Sequence, residues 1–135
     1  MTNAALLVVA GALRRHDGLW LMHQRPKDKR HGGLWEFPGG KVEVSEFPYE
    51  ALVRELSEEL GIAICPEDCE PLCFAETALG APSPRIVILL YKVARWAGTP
   101  RALEGGDVGW FSMQDMRKLP KPPLDMDLLQ RIDSA

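Results

Sequence analysis

The residues best able to do chemistry stand close together: Arg54, Glu55, Glu58 and Glu59. At about 100° per residue on a helix, the glutamates share one arc, spaced so that their carboxylates are neighbours. Like charges so placed repel, weakly in water and more strongly as solvent is excluded. Taken alone, an E-x-x-E-E pattern is most often a solvated acidic face. Several carboxylates on one rigid element also suit a hard divalent cation with oxygen ligands. Magnesium is the usual partner of phosphate substrates, because it bridges carboxylates to phosphoryl oxygens. Arg54, beside Glu55 on the polar side, could orient a carboxylate or meet a phosphate.

The element that must carry these groups is a helix over residues 48–60. Pro48 suits its first turn and Gly61 its C-cap. Tyr49, Leu52, Val53, Leu56 and Leu60 fall in an adjacent arc and predict a core-facing stripe. Upstream, residues 4–13 read as a buried strand, 14–18 as a turn and 19–24 as a second strand. Residues 25–33 are a polar, basic loop. Residues 35–37 are short and extended, and Pro38-Gly39-Gly40 breaks them. Downstream, 62–65 and 72–79 are strand-like, 80–84 turn, and 85–96 form the strongest strand. Residues 97–109 are a long Gly-rich loop, a kind that is often functional. Trp110-Phe111 is a last short strand, Ser112 with Asp115 starts a short helix, 120–123 link, and 125–132 form a terminal helix. Strands and helices are mixed, so the class is α/β or α+β.

The whole chain narrows the ligand. Its 135 residues suit one domain over 1–135. Apolar residues at 46 % and charged residues at 26 % are an ordinary globular balance. A net charge of −3 argues against non-specific binding of polymeric nucleic acid, which needs a basic field. A phosphate ligand would need something other than bulk charge to attract it, and a bound metal would serve. The apolar run at 4–13 is about half the roughly 20 residues of a membrane span and lacks a basic leader. Cys65, Cys69 and Cys73 are odd in number and form no C-x-x-C pair. They read as free thiols in a reducing, cytoplasmic setting rather than a zinc site.

Gly40, Glu46, Arg54-Glu55-Leu56, Glu58-Glu59 and Gly61-Ile62, at the intervals where they stand, resemble the Nudix box over residues 40–62. The seven Gly, Arg and Glu positions would coincide in roughly one random window in 10⁸. Phe47 departs from the pattern, because the family often places Ser or Thr there as a cap. The missing bond costs on the order of 1 kcal/mol and weakens the helix start, not catalysis. The likeness is nearest to the MutT-like branch, through residues 35–41, 95–98, 104–106 and 122–125.

The resemblance implies the Nudix fold, a mixed sheet between helices with the box as strand-loop-helix-loop. It implies that Glu55, Glu58 and Glu59, with the Gly39 carbonyl, hold Mg2+, with Mn2+ as a substitute. Glu104 resembles a further acidic ligand from the long loop; its plain alternative is a loop glutamate in water. Arg25 and Lys41 resemble phosphate contacts, or else are surface cations. Phe37 would line the base pocket, or else is core. The implied reaction is attack of water at the β-phosphorus of a nucleoside triphosphate, giving a nucleoside monophosphate and pyrophosphate. Glu55 is the favoured base, with Glu58 and Glu104 as alternatives, and Arg54 holds Glu55 in place.

Asp125 stands where the MutT branch has an asparagine, and also reads as a helix N-cap. An ionised aspartate only accepts hydrogen bonds. It could take them from guanine N1 and N2, from N7–H of 8-oxoguanine, or from the cytosine amine. The CTP pyrophosphohydrolases resemble the chain as well, through 34–37, 39–43 and the Pro-x-Asp at 123–125. An 8-oxo-dGTP diphosphatase that sanitises the nucleotide pool, and so serves DNA repair, is the first reading. A CTP or 5-methyl-dCTP pyrophosphohydrolase is the second, and a dinucleotide or sugar nucleotide substrate the third. A Nudix-fold sensor that binds without cleaving is last, since sensors tend to lose box carboxylates and none is missing here. The expected partner is a free nucleotide, not a polymer or a membrane, met by a monomer or weak dimer.

Overall fold

The computed structural model describes residues 5–82 and 84–133. Its elements are strands β1 (Leu6–Leu13), β2 (Trp20–Gln24), β3 (Trp35–Glu36) and β4 (Gly39–Lys41), helix α1 (Pro48–Leu60), strands β5 (Cys69–Glu76), β6 (Ile86–Val93) and β7 (Asp107–Phe111), and helices α2 (Met113–Lys118) and α3 (Pro123–Asp133). β1 is apolar on both faces and lies inside a four-stranded mixed sheet of order β4-β1-β6-β5. It runs parallel to β6 along its whole length and antiparallel to β4. A second, antiparallel sheet has the order β3-β2-β7.

The period of two along β1 builds both cores. Val9 and Leu13 face the stripe Leu52, Leu56 and Leu60 of α1. Ala10 and Ala12 face the other way, toward Met116, Leu128 and Leu129 of the two C-terminal helices. The α+β architecture with sheet between helices is thus borne out, with the sheet divided in two. α1 has the expected bounds and ends on Gly61 at φ 71°, a left-handed cap that glycine adopts freely. Its N-cap residue Phe47 offers no side-chain bond, and the Phe47 N–H donates to the Glu50 carboxylate at 2.8 Å.

Several expectations are corrected. Gly39 and Gly40 do not merely break a strand but form β4. A Cβ on Gly39 would overlap the Val9 carbonyl, so the glycine lets two backbones approach closely. Residues 62–65 are not a strand; Ala63 makes one isolated bridge to Ala97, and Pro66–Asp68 is a 3-10 turn. β5 starts three residues earlier than expected, behind Pro71 and a bulge between Pro71 and Cys73. β7 starts at Asp107, inside the supposed loop, and α3 starts at Pro123. Tyr49 leaves the core stripe: it is 38 % exposed and stacks on Phe47 at 5.9 Å. Of the expected strand at 4–13 and turn at 80–84, Ala4 and Ser83 lie outside the described residues. The three cysteines are free. Among the described residues, no helix is long and apolar enough to cross a membrane.

Candidate functional site

The polar face of α1 meets the end of β4 and the loop before β7. Arg54 is the hub. Its Nε and Nη2 donate to the two Glu46 carboxylate oxygens at 2.7 and 3.0 Å, a fork-on-fork pair. Nη1 donates to Glu55 at 2.8 Å and to Glu58 at 3.3 Å, and Nη2 also donates to the Lys41 carbonyl at 3.0 Å. One guanidinium therefore joins the box loop, β4 and two helix glutamates. Glu46, foremost, holds Arg54 firmly charged.

The carboxylates differ in surroundings. Glu55 is packed over Gly40, where a Cβ would overlap its carboxyl group. Burial raises its pKa; Arg54 opposes this, while Glu58 and Glu104 add to it. Glu59 is pushed up to about 8, by burial first, then by Glu36, Glu55 and Glu104, against the Gly39 amide. Glu58 is the most exposed of the three helix glutamates. Glu104 is exposed, yet its charge acts on both Glu55 and Glu59. Its loop is tied down on α1: the Arg101 N–H donates to the Leu60 carbonyl and the Leu103 N–H to the Glu59 carbonyl, both at 3.0 Å.

These donors suit a divalent cation in kind. They are all oxygens, and two of them are pushed toward the neutral form, by burial first and then by neighbouring acids, a cost that a cation would offset. Among the described residues, no three acidic, His or Cys side chains converge as a ready-made cage. Magnesium needs none, since it keeps several waters and takes one or two carboxylates with substrate phosphates.

The second part of the site lies around Asp125. Its side chain is 4 % exposed and accepts the Phe37 N–H at 3.0 Å. It sits in the first turn of α3 and points inward, so it is not the N-cap considered from the sequence. Burial, then Glu36, pushes its pKa up to about 8, against the Phe37 amide, Arg25 and Lys121. The Phe37 ring is 3 % exposed and belongs to the core; its amide is what reaches Asp125. Arg25 donates to Glu36 at 3.1 Å and to the Arg30 carbonyl at 2.7 Å. Lys41 enters the acidic cluster through its carbonyl, and its side chain is exposed.

Two neighbours of the site went unread in the sequence. Glu36 acts on both Glu59 and Asp125 and so stands between the two parts. His23 is buried beside Glu59, and burial is the chief cause that lowers its pKa. Both sit in strands whose local pattern has no polar spacing to mark them.

The family model for the NUDIX domain matches residues 4–132. The chain belongs to the NUDIX family. It is 36 % identical over 126 residues to the CTP pyrophosphohydrolase of Escherichia coli K12, covering 93 % of this chain and 90 % of that protein. It is 30 % identical over 127 residues to the 8-oxo-dGTP diphosphatase of the same organism, covering 94 % and 95 %. Among solved structures, the MutT NUDIX hydrolase of Burkholderia pseudomallei superposes with a TM-score of 0.82 at 29 % identity, covering 96 % of this chain and 99 % of that one. In this NUDIX chain the box runs from β4 through α1, with Arg54 as its internal tie.

Proposed function

We propose that this chain is a magnesium-dependent nucleoside triphosphate pyrophosphohydrolase whose preferred substrate is 8-oxo-dGTP. The hydrolysis of phosphoric anhydrides follows from the family and its named relatives. The observation that carries the reaction is the Arg54 hub, which fixes Glu55 and Glu58 on the face where Glu59 and Glu104 also act. Glu55, Glu58, Glu59, Glu104 and the Gly39 carbonyl would hold the cation. When bound, magnesium supplies neutralising charge to the phosphoryl oxygens. Glu55 takes the proton from the attacking water. The water oxygen bonds to the β-phosphorus, the bond to the bridging oxygen breaks, and the nucleoside monophosphate departs with that oxygen. Arg54 keeps Glu55 oriented. Arg25 and Lys41 face the phosphates. The substrate is a free nucleotide, not a polymer, and the working form is a monomer or weak dimer.

Asp125 supports the choice of base. With its pKa near 8 the carboxyl is largely neutral at pH 7. A protonated carboxyl has one donor as well as acceptor capacity. It can therefore accept from N7–H of 8-oxoguanine and donate to O6, as an asparagine would. The ionised form only accepts, which suits the cytosine amine. That form, and the 36 % identity to a CTP pyrophosphohydrolase, favour a second reading as a CTP or 5-methyl-dCTP pyrophosphohydrolase.

The deciding experiment is a kcat/KM panel with 8-oxo-dGTP, dGTP, CTP, dCTP and 5-methyl-dCTP. A preference for 8-oxo-dGTP is expected; a clear preference for cytosine nucleotides sinks the first reading. Asp125→Asn should keep the 8-oxo-dGTP preference, and Asp125→Ala should lose it.

A further inference from the structure

The chain has a net charge of −3, and Glu43, Glu58 and Glu104 are exposed around the site. A nucleoside triphosphate is anionic and stays so with one magnesium ion bound. Its approach to this face is opposed unless a positive field offsets the acids. The cations nearest those acids offer little. Arg54 is shared among Glu46, Glu55, Glu58 and the Lys41 carbonyl. Arg25 is held by Glu36 and the Arg30 carbonyl. The exposed Lys41 is left, one charge against several.

The loop over 26–33 is different. Lys27, Lys29 and Arg30 are exposed. Among the described residues, no ion pair or hydrogen bond engages their charged ends. Within the loop only Asp28 opposes them. The loop has a built shape. Its Lys29 N–H donates to the Pro26 carbonyl at 3.1 Å and its Gly32 N–H to the Lys29 carbonyl at 2.9 Å. Arg25 Nε donates to the Arg30 carbonyl at 2.7 Å, and the Gln24 amide to the Gly33 carbonyl at 3.1 Å. A Cβ on Gly32 would overlap the Lys27 carbonyl. His31 turns the chain at φ 60°, a left-handed backbone uncommon outside glycine.

The loop is rooted between the two parts of the site. A Cβ on Gly105, next to Glu104, would lie 3.3 Å from the Pro26 ring. Beside Pro26, Arg25 pairs with Glu36, whose charge acts on both Glu59 and Asp125. Three unpaired cations are thus carried on a fixed arm at the seam where the acids and Asp125 meet.

We propose that the loop 26–33 is an entry guide for the polyphosphate, whose Lys27, Lys29 and Arg30 draw the anionic nucleotide toward the acid-lined site. The inference rests on the proposed triphosphate substrate, and it goes further by naming how so acidic a site is reached. Fixed cations at a cleft raise association rates by about 10- to 10³-fold, and salt screens the gain.

The probe is a fluorescent nucleoside triphosphate with a methylene bridge between its α- and β-phosphorus. Its association and dissociation rates are measured by stopped flow with Mg2+, across about 0.02 to 0.5 M salt. The variant is the triple Lys27→Gln, Lys29→Gln, Arg30→Gln. A second triple, Lys92→Gln, Lys118→Gln, Arg131→Gln, removes the same charge from exposed positions on β6, α2 and α3. The loop triple should slow association roughly tenfold at low salt. The deficit should vanish at high salt, with dissociation and kcat little changed and kcat/KM lowered. The second triple should associate at nearly the wild-type rate.

Wild-type association by the loop triple at low salt overturns the proposal. An equal slowing in the second triple does so too, because net charge would then explain it. A deficit that survives high salt, or that lies in dissociation, replaces guidance with direct contact and also overturns it. Should the loop triple not fold, Lys27→Gln and Lys29→Gln made singly should each slow association by a smaller factor; no slowing in either overturns the proposal. A wild-type chain that neither binds nor cleaves any triphosphate overturns the proposed function with it. Wild-type turnover with association indifferent to salt overturns this inference alone.

Discussion

The two ends of the site surround their carboxylates with different partners. Around Arg54 the acids are many; one guanidinium ties Glu46, Glu55 and Glu58, while burial pushes Glu55 and Glu59 toward the neutral form. Around Asp125 there is one deeply buried acid, held by a backbone N–H and pushed toward neutrality. The first arrangement suits a cation and a phosphate. The second suits a hydrogen-bond pattern on an uncharged base. On the proposed reading, one fold separates charge chemistry from base reading by giving its carboxylates different partners.

The comparison breaks most visibly at Glu55. Glu55→Gln should cost about 10²- to 10⁴-fold in kcat, as loss of a general base does, with Tm held or raised because a half-buried charge is gone. Glu58→Gln should keep the fold and lose most cation affinity. Near-normal magnesium-dependent turnover in Glu58→Gln, with an intact thermal transition, would contradict its place in the cation set. Next in size is Arg54→Lys. An ammonium cannot reach the Glu46 fork, Glu55 and the Lys41 carbonyl together. We expect kcat to fall about 10- to 100-fold and Tm to drop, measured side by side.

At the Asp125 end the sign of the pH dependence is the test. The folded pKa of about 8 lies above the ordinary 3.8, so the folded chain holds the proton more tightly than the unfolded one. The stability linked to that proton is full below the ordinary value and is lost as pH rises through about 8. Asp125→Asn has no such proton, so its Tm relative to wild type should climb between pH 5 and pH 9. Wild-type kcat/KM for 8-oxo-dGTP should fall above pH 8, and that of Asp125→Asn should not. Parallel profiles for the two chains would end the neutral-acid reading. The smallest effect belongs to Glu50→Ala, which removes the acceptor for the Phe47 N–H. It should cost about 1 kcal/mol in denaturant unfolding and leave kcat unchanged, showing that the helix start is separable from the chemistry.

The Arg54 end was legible because its pattern is local. Glutamates three and four apart, a stripe of leucines and a closing Gly61 all lie within one helix. β1 and β6 were legible as long apolar runs. β4 was not, because the glycines that let it lie against β1 look like breakers when read along the chain. β5 was hidden by Pro71 and its bulge, and Tyr49 by a helical period that Phe47 draws outward. The Asp125 end was half legible: the residue stood out, but its direction depends on the Phe37 amide, 88 positions away. Glu36 was read only as part of the family likeness at 34–41, and His23 gave no sign, since each meets the site only through residues distant in the chain.

The parallel pairing of β1 with β6 carries a consequence for how the molecule is made. β1 gains that neighbour only when residues 86–93 are available. The loop so closed, about 80 residues long, must be ordered before the contact repays it, and such non-local pairing slows folding. The acidic helix emerges early in synthesis, but the sheet face that its leucines need is assembled late. On a growing chain the box is thus a sentence whose verb has not yet arrived.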